Sequence, residues 1–500
     1  MVSTIDTARN AKQLPLGWRT STPLLLWTLH DAWTVGQSFE NCLILGATGS
    51  GKTSGSGDML ADAYIRAGYG GCICCSKISE MVEWIKRCEC AGRGDDVILI
   101  EPGGKWKFNP LAYEMNRKGA GAGQGANVAA LFDTLMELAD RGGSSSSGRE
   151  AEPYWRRAVN QAVRNAIALL IAADHDISFE AMYRVFSSAP QSIEEVRSPA
   201  WQKASFCYQL FRKAFVREHD AIQRHDFELA SDFWFLEFAN LASRTRSVVV
   251  STFTSQVDLW QRGILKEIFG GETTFTPNDA EHGKIIIVGL PVKEYHELGR
   301  AANIVMRYVF QRALESRDIT ASPRPVFLWA DEFQTLITSH DAQFLATCRS
   351  ARVSTVLLTQ NLPGVYAALG GGDKGKHEAD AIFGNCNTKI FHSNSDPVTC
   401  EWMSNILGKS LQAMASGSVT NSNEGQWSSA LGLDFSGQRG NTSAGFSESY
   451  QFEVQPAEFA QLRTGGKEHG RHVDAILFQN GRVFRQNGKT WLRVTFRQKS

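Results

Sequence analysis

The chain has 500 residues, 43% of them hydrophobic and 10% aromatic, enough to bury a sizeable core and too many for one average domain, so two domains are expected. Its 52 basic and 52 acidic residues cancel, which excludes an overall field that draws nucleic acid or anionic lipid; any such contact needs a local patch. The ten cysteines are few for this length, the start Met1-Val2-Ser3-Thr4-Ile5-Asp6 lacks the basic-then-apolar order of a secretion signal, and apolar runs such as Ile167 to Ala173 fall short of the ~18 residues that span a bilayer. The expectation is a cytoplasmic chain with no transmembrane segment.

In chain order, Asn41 to Leu45 reads as a short buried strand, and Thr53 opens a helix containing Met59, Leu60 and Ala63. Between them lies Gly46-Ala47-Thr48-Gly49-Ser50-Gly51-Lys52-Thr53. Small residues at this spacing let consecutive backbone N–H groups turn inward around phosphates, at the positive end of the following helix. Lys52 adds a mobile charge for the β- and γ-phosphates, and the Thr53 hydroxyl suits Mg²⁺. A P-loop that binds ATP and Mg²⁺ is the reading.

A strand at Gly71 to Cys75, an amphipathic helix around Met81 to Ile85 and a strand at Val97 to Ile100 follow, and this alternation implies a mainly parallel sheet. Cys72, Cys74, Cys75, Cys88 and Cys90 invite a zinc reading. The first three sit in an apolar strand whose alternate side chains face opposite ways, so buried cysteines acting as small hydrophobes are expected and no structural metal is predicted.

The runs Lys118 to Asn127 and Arg141 to Gly148 have the composition of flexible connectors. From Val128 to about Ser243 the period becomes helical, with Trp155, Val159, Ala162, Val163, Ala166 and Leu170 on one face. The predicted fold is α/β: a RecA-like P-loop core, residues 1–118 and 244–500, interrupted by an inserted all-α domain, residues 119–243.

Strand-like runs return at Ile285 to Val288, Val326 to Trp329, Thr355 to Leu358 and Lys389 to Phe391, with a helical stretch from Gly299 to Glu315. The second strand ends in Asp331-Glu332, the apolar-then-acidic signature that accompanies a P-loop. Asp331 is the Mg²⁺ carboxylate, and Glu332 the base that takes a proton from attacking water. The next strand runs into Thr359-Gln360, an amide at the sheet's carboxyl edge suited to sensing the γ-phosphate or orienting water. Arg349 and Arg352, three apart on a predicted helix end, share a face that suits a neighbouring subunit's nucleotide; Arg349 is the arginine-finger candidate.

Asp396 caps the next helix, Pro397 enters its first turn and Gly408 ends it. Ser416 to Ser449, rich in Ser, Gly and Asn, reads as a mobile loop or loose hairpin, ahead of a β-rich end at Tyr450 to Val454 and Val473 to Phe478.

With these residues in place, the chain resembles the type IV secretion coupling ATPases of bacterial conjugation, the TraG/TraD-like branch of the FtsK/HerA translocases. Beyond the P-loop, the likeness rests on Asn109-Pro110-Leu111, Glu152-Pro153-Tyr154-Trp155, Leu290-Pro291, Asp331-Glu332-Phe333, Arg349, Thr359-Gln360, Gly384 to Lys389 and Asp396-Pro397. The resemblance implies a homo-hexamer that moves DNA, of unspecified strandedness, through a central pore by ATP hydrolysis, with Arg349 reaching the adjacent site and the all-α domain engaging cargo. Secretion-channel or relaxase-type proteins are the implied partners. The chain departs from the family in lacking transmembrane helices, and its Ser76-Lys77-Ile78-Ser79-Glu80 keeps only the lysine and glutamate of the family's Asp-Pro-Lys-Gly-Glu element. Two alternatives stand beside this one: a soluble translocase in defence or mobile-element processing, and a nucleotide-switched module that recruits protein cargo.

Overall fold

The computed structural model describes residues 3–5, 18–117, 122–142, 152–421 and 440–499. Its strands are β1 (Ser3–Ile5), β2 (Pro23–Leu26), β3 (Ala32–Thr34), β4 (Cys42–Leu45), β5 (Gly70–Cys74), β6 (Val97–Ile100), β7 (Ile285–Val288), β8 (Val326–Ala330), β9 (Val353–Thr359), β10 (Thr388–Phe391), β11 (Lys409–Asn421), β12 (Gly440–Phe452), β13 (His472–Gln479) and β14 (Trp491–Arg497). Ten of them form one sheet in the order β1-β14-β13-β10-β4-β9-β8-β5-β7-β6. From β10 to β6 all neighbours run parallel, and β13 and β14 extend the sheet antiparallel to their predecessors.

The parallel strands are short continuous apolar runs because both faces of the sheet are covered. In β4, Leu43 and Leu45 join one core and Cys42 and Ile44 the other. On the second face the rings of Tyr64, Phe327 and Trp84 stack in succession, and Trp329 meets Trp84 edge-on. Gly71 is required beneath this group, since a Cβ there would stand 2.4 Å from the Phe327 ring.

Between β6 and β7 the described chain is helical, beginning at Pro110–Asn116, where the Asn109 side chain accepts from the Leu111 and Ala112 amides. The helices Gly125–Gly142 and Glu152–Ala172 follow. The first starts inside the glycine run expected to be a connector, because Ala126 to Leu131 already follow its apolar period; residues 118–121 and 143–148 of the two expected connectors lie outside the described residues. Helices continue beyond Ser243 as Ser243–Asp258 and Gly263–Phe269, both packed into the same core.

The helix Val292–Glu315 is broken at His296, which has a left-handed φ of 47°. The helix Pro397–Leu407 has Asp396 as its N-cap, accepting from the Thr399 amide, and ends at Gly408 with φ 92°. β11 and β12 pair antiparallel in register from Lys409↔Phe452 to Asn421↔Gly440, forming a two-stranded sheet separate from the large one. Residues 422–439, inside the run expected to be a mobile loop or loose hairpin, lie outside the described residues. No helix of the described residues is long and apolar enough to cross a membrane.

Candidate nucleotide site

A parallel sheet puts the ends of its strands along one edge, and there the separated motifs meet. β9 lies between β4 and β8, with Leu45 opposite Thr359 and Leu357 opposite Ala330. The P-loop after β4, Gln360 after β9 and the acidic pair after β8 therefore emerge side by side.

The loop turns through Gly49 (φ 76°) and Gly51 (φ 81°). At Gly51 a Cβ would fall 2.6 Å from Val473 of β13, so the C-terminal part of the chain packs against the loop and leaves no room for a side chain. The Ala47 amide donates to Ser393 after β10 at 2.9 Å, and the Gly46 amide to Thr359 at 3.3 Å. Helix geometry after Lys52 opens with a π turn, Thr53–Gly57, before the α-helix Asp58–Arg66, a distortion common at functional sites. Ser56 Oγ within this turn lies 2.7 Å from Nε2 of the buried His392.

Thr53 Oγ1 donates to Asp331 Oδ2 at 3.2 Å, so the two oxygens expected to serve Mg²⁺ are adjacent. Burial raises the Asp331 carboxyl above its ordinary range, with the charge of Lys52 opposing and that of Glu332 reinforcing the shift. Glu332 has a left-handed backbone, φ 48° and ψ 46°, a conformation costly for a residue with a Cβ. It turns the carboxylate toward Gln360, whose Nε2 donates to both of its oxygens at 2.9 Å. Gln360 Oε1 in turn accepts from the Thr48 hydroxyl of the P-loop at 3.0 Å. Burial alone would raise Glu332, but the amides of Gln334 and Gln360 and the charges of Lys52 and Lys77 prevail and hold it below its ordinary value.

These residues fit a magnesium nucleotide. Lys52 is 7% exposed, and Ser50 Oγ is buried with no hydrogen-bond partner among the described residues. A glycine-turned loop at a helix start, a buried ammonium and paired oxygens at Thr53 and Asp331 complement the charge and donor set of a triphosphate and its cation.

Arg349 and Arg352 are not on one helix face. The helix His340–Thr347 ends before them, and both lie in the turn leading into β9, at the amino edge of the sheet, away from their own P-loop. Arg352 has φ 54° and its Nη1 donates to the Pro323 carbonyl at 2.9 Å. Arg349 has a side chain 70% exposed, paired with Glu40 Oε1 at 3.4 Å.

Residues 325–452, from β8 through the hairpin, match the family model described as the TraM recognition site of TraD and TraG. No curated protein matches the chain. Among solved structures, the bacterial conjugative coupling protein TrwBdeltaN70 in an unbound monoclinic form is 15% identical, with TM-score 0.55 over 99% of this chain and 91% of that one. The plasmid coupling protein TrwB in complex with the non-hydrolysable ATP analogue ADPNP is 14% identical, TM-score 0.55, over 100% of this chain and 94% of that one. TrwB in complex with ADP and Mg²⁺ is 14% identical, TM-score 0.55, over 96% and 90%. This chain has the conjugative coupling-protein fold.

On that coupling-protein fold, several site residues are not apparent from sequence. Gln334 donates to Glu332 at 2.8 Å and accepts from Thr359 at 2.7 Å. Lys77, whose role the sequence leaves open, stands 3.8 Å from Glu332. Glu80 accepts from the Ser76 amide at 2.9 Å, and burial together with the Asp331 charge pushes its carboxyl well above the usual range. For Lys77 and Glu80 the signal was their match to the lysine and glutamate of the family's element after β5, which left their roles open. For His392 there was none, because its partner Ser56 is separated from it by most of the chain.

Proposed function

We infer that this protein is an ATPase that couples hydrolysis to DNA translocation, in the manner implied by its coupling-protein fold. The observation that carries this reading is the Thr48–Gln360–Glu332 hydrogen-bond chain, which joins the P-loop to the acidic strand across β9. The backbone of the P-loop, Gly46 to Thr53, and the Lys52 ammonium bind and orient the triphosphate. Thr53 and Asp331 would hold Mg²⁺, which when bound would neutralise charge on the phosphates. Glu332, ionised at neutral pH, accepts the proton of the attacking water, and Gln360 orients either that water or the γ-phosphate.

Arg349 serves a neighbouring subunit's nucleotide, since its amino-edge location keeps it from its own. Arg352, occupied by the Pro323 carbonyl, is the weaker candidate. This requires a ring, and a homo-hexamer is the form the fold supports. The likeness of 325–452 to a TraM recognition segment supports a protein partner of the relaxosome type, and the absence of a membrane-crossing helix among the described residues is compatible with a cytoplasmic location.

The test is the ATPase rate with single-stranded, double-stranded and no DNA, with native mass measured in ATP. DNA-stimulated hydrolysis that disappears in Lys52→Ala and Glu332→Gln is expected. Hydrolysis indifferent to every nucleic acid overturns the translocase reading.

A further inference from the structure

Arg349 presents a physical problem. An arginine on a surface turn, 70% exposed, samples many rotamers, and ordering it at the moment of subunit contact costs side-chain entropy. A buried, fully paired arginine has the opposite defect, because withdrawing it from its partner leaves an uncompensated charge.

Glu40 avoids both. It immediately precedes Asn41 and β4, and its own side chain is 7% exposed. Arg482, from the turn after β13, grips its carboxylate as a fork, Nη1 to Oε2 at 2.7 Å and Nη2 to Oε1 at 3.1 Å. Asn387 adds a longer contact to Oε2 at 3.4 Å, and its backbone amide donates to the Glu40 carbonyl at 2.8 Å. The next residue, Asn41, donates to the Leu345 and Asn385 carbonyls and accepts from the Thr355 amide, tying this corner to the helix before Arg349 and to β9 after it.

We propose that Glu40, clamped by Arg482, is the positioning residue that aims Arg349 at the nucleotide of an adjoining copy of this chain. The proposal rests on the trans role of Arg349 given above. Arg349 meets one oxygen, Oε1, of a carboxylate that Arg482 already holds through both oxygens. Its release toward a phosphate therefore leaves the carboxylate still paired with Arg482, with no orphaned charge behind. Glu40 restricts where the guanidinium points without retaining it.

The experiment is a double-mutant cycle, with kcat, KM, native mass and melting midpoint for the wild type, Glu40→Gln, Arg349→Ala and the double variant, all as full chains in ATP. Misaimed transition-state groups cost up to about 100-fold, so Glu40→Gln is expected to lower kcat by about 10–100-fold with KM within about twofold. Adding it to Arg349→Ala is expected to change nothing further. If Glu40→Gln keeps the wild-type kcat while Arg349→Ala is inactive, the positioning role is wrong and the arginine's role stands. Equal losses in both backgrounds with a lowered melting midpoint make Glu40 merely structural and overturn the proposal. A wild-type rate in Arg349→Ala removes the reading on which it rests. Glu40→Asp, which keeps the charge against Arg482 but withdraws it from Arg349 by one methylene, takes the place of Glu40→Gln if that variant does not fold, with the same kcat pattern expected.

Discussion

In the proposed mechanism Glu332 is the residue on which the chemistry turns, and its ionisation is favoured by donated hydrogen bonds. The amides of Gln334 and Gln360 favour the carboxylate over the acid and hold it below its ordinary value despite burial. The base is therefore available throughout the neutral range, and the acid limb of kcat/KM lies below the ~4.3 of a free glutamate. In Gln334→Ala/Gln360→Ala those donors are gone, the carboxyl pKa rises, and the limb moves to higher pH; a pH profile of kcat/KM checks the direction. His392 shows the reverse case, since burial and the Lys52 charge depress its imidazole to about 3. The unfolded chain takes up a proton near pH 6.5 that the native state refuses, so stability is present above that pH and is lost as pH falls toward about 3, by roughly tenfold in the folding equilibrium per unit within the window. His392→Gln is expected to show a smaller fall in melting midpoint between pH 7 and pH 5.5.

At the scale of elements, two local signals have a direct structural counterpart. Asp396, Pro397 and Gly408 bound a helix as their chemistry requires, and the Asp396 carboxylate accepts from the Thr399 amide at 2.8 Å. Asp396→Ala is expected to cost about 1 kcal/mol, read as a lower denaturation midpoint in urea. Arg349 and Arg352 run the other way. Their spacing suited a helix end, but that helix stops at Thr347, and the turn into β9 needs a left-handed residue at 352. Sequence period carries no information about a turn whose shape is imposed by the strands it joins. The P-loop was legible as strand, loop and helix, whereas the π turn at Thr53–Gly57, with His392 and β13 packed against it from distant parts of the chain, was not.

For the molecule as a whole, the large sheet and the hairpin are separable. β11 and β12 contribute no strand to the ten-stranded sheet, and Leu411 lies directly opposite Tyr450 in the antiparallel ladder. A two-residue Asn-Gly turn in place of 412–449 spans that gap. The shortened protein is expected to keep its melting midpoint and nucleotide affinity, measured by thermal denaturation and nucleotide titration; a collapse of either would mean the hairpin supports the core.

What sequence alone determined were the groups whose chemistry is local: eight consecutive residues suited to cradling phosphate, an apolar strand ending in two acids, a capped helix, and an alternation that implies a parallel sheet. Backbone amides at a glycine turn act through neighbours in the chain, so spacing suffices to find them. Only the tertiary structure decided that β9 lies between β4 and β8, so that Gln360 bridges Thr48 and Glu332, and that Glu40, Arg349 and Arg482 share one corner of the sheet. Strand order is set by how two apolar faces are covered together, a property of the whole packed chain that no window of residues contains.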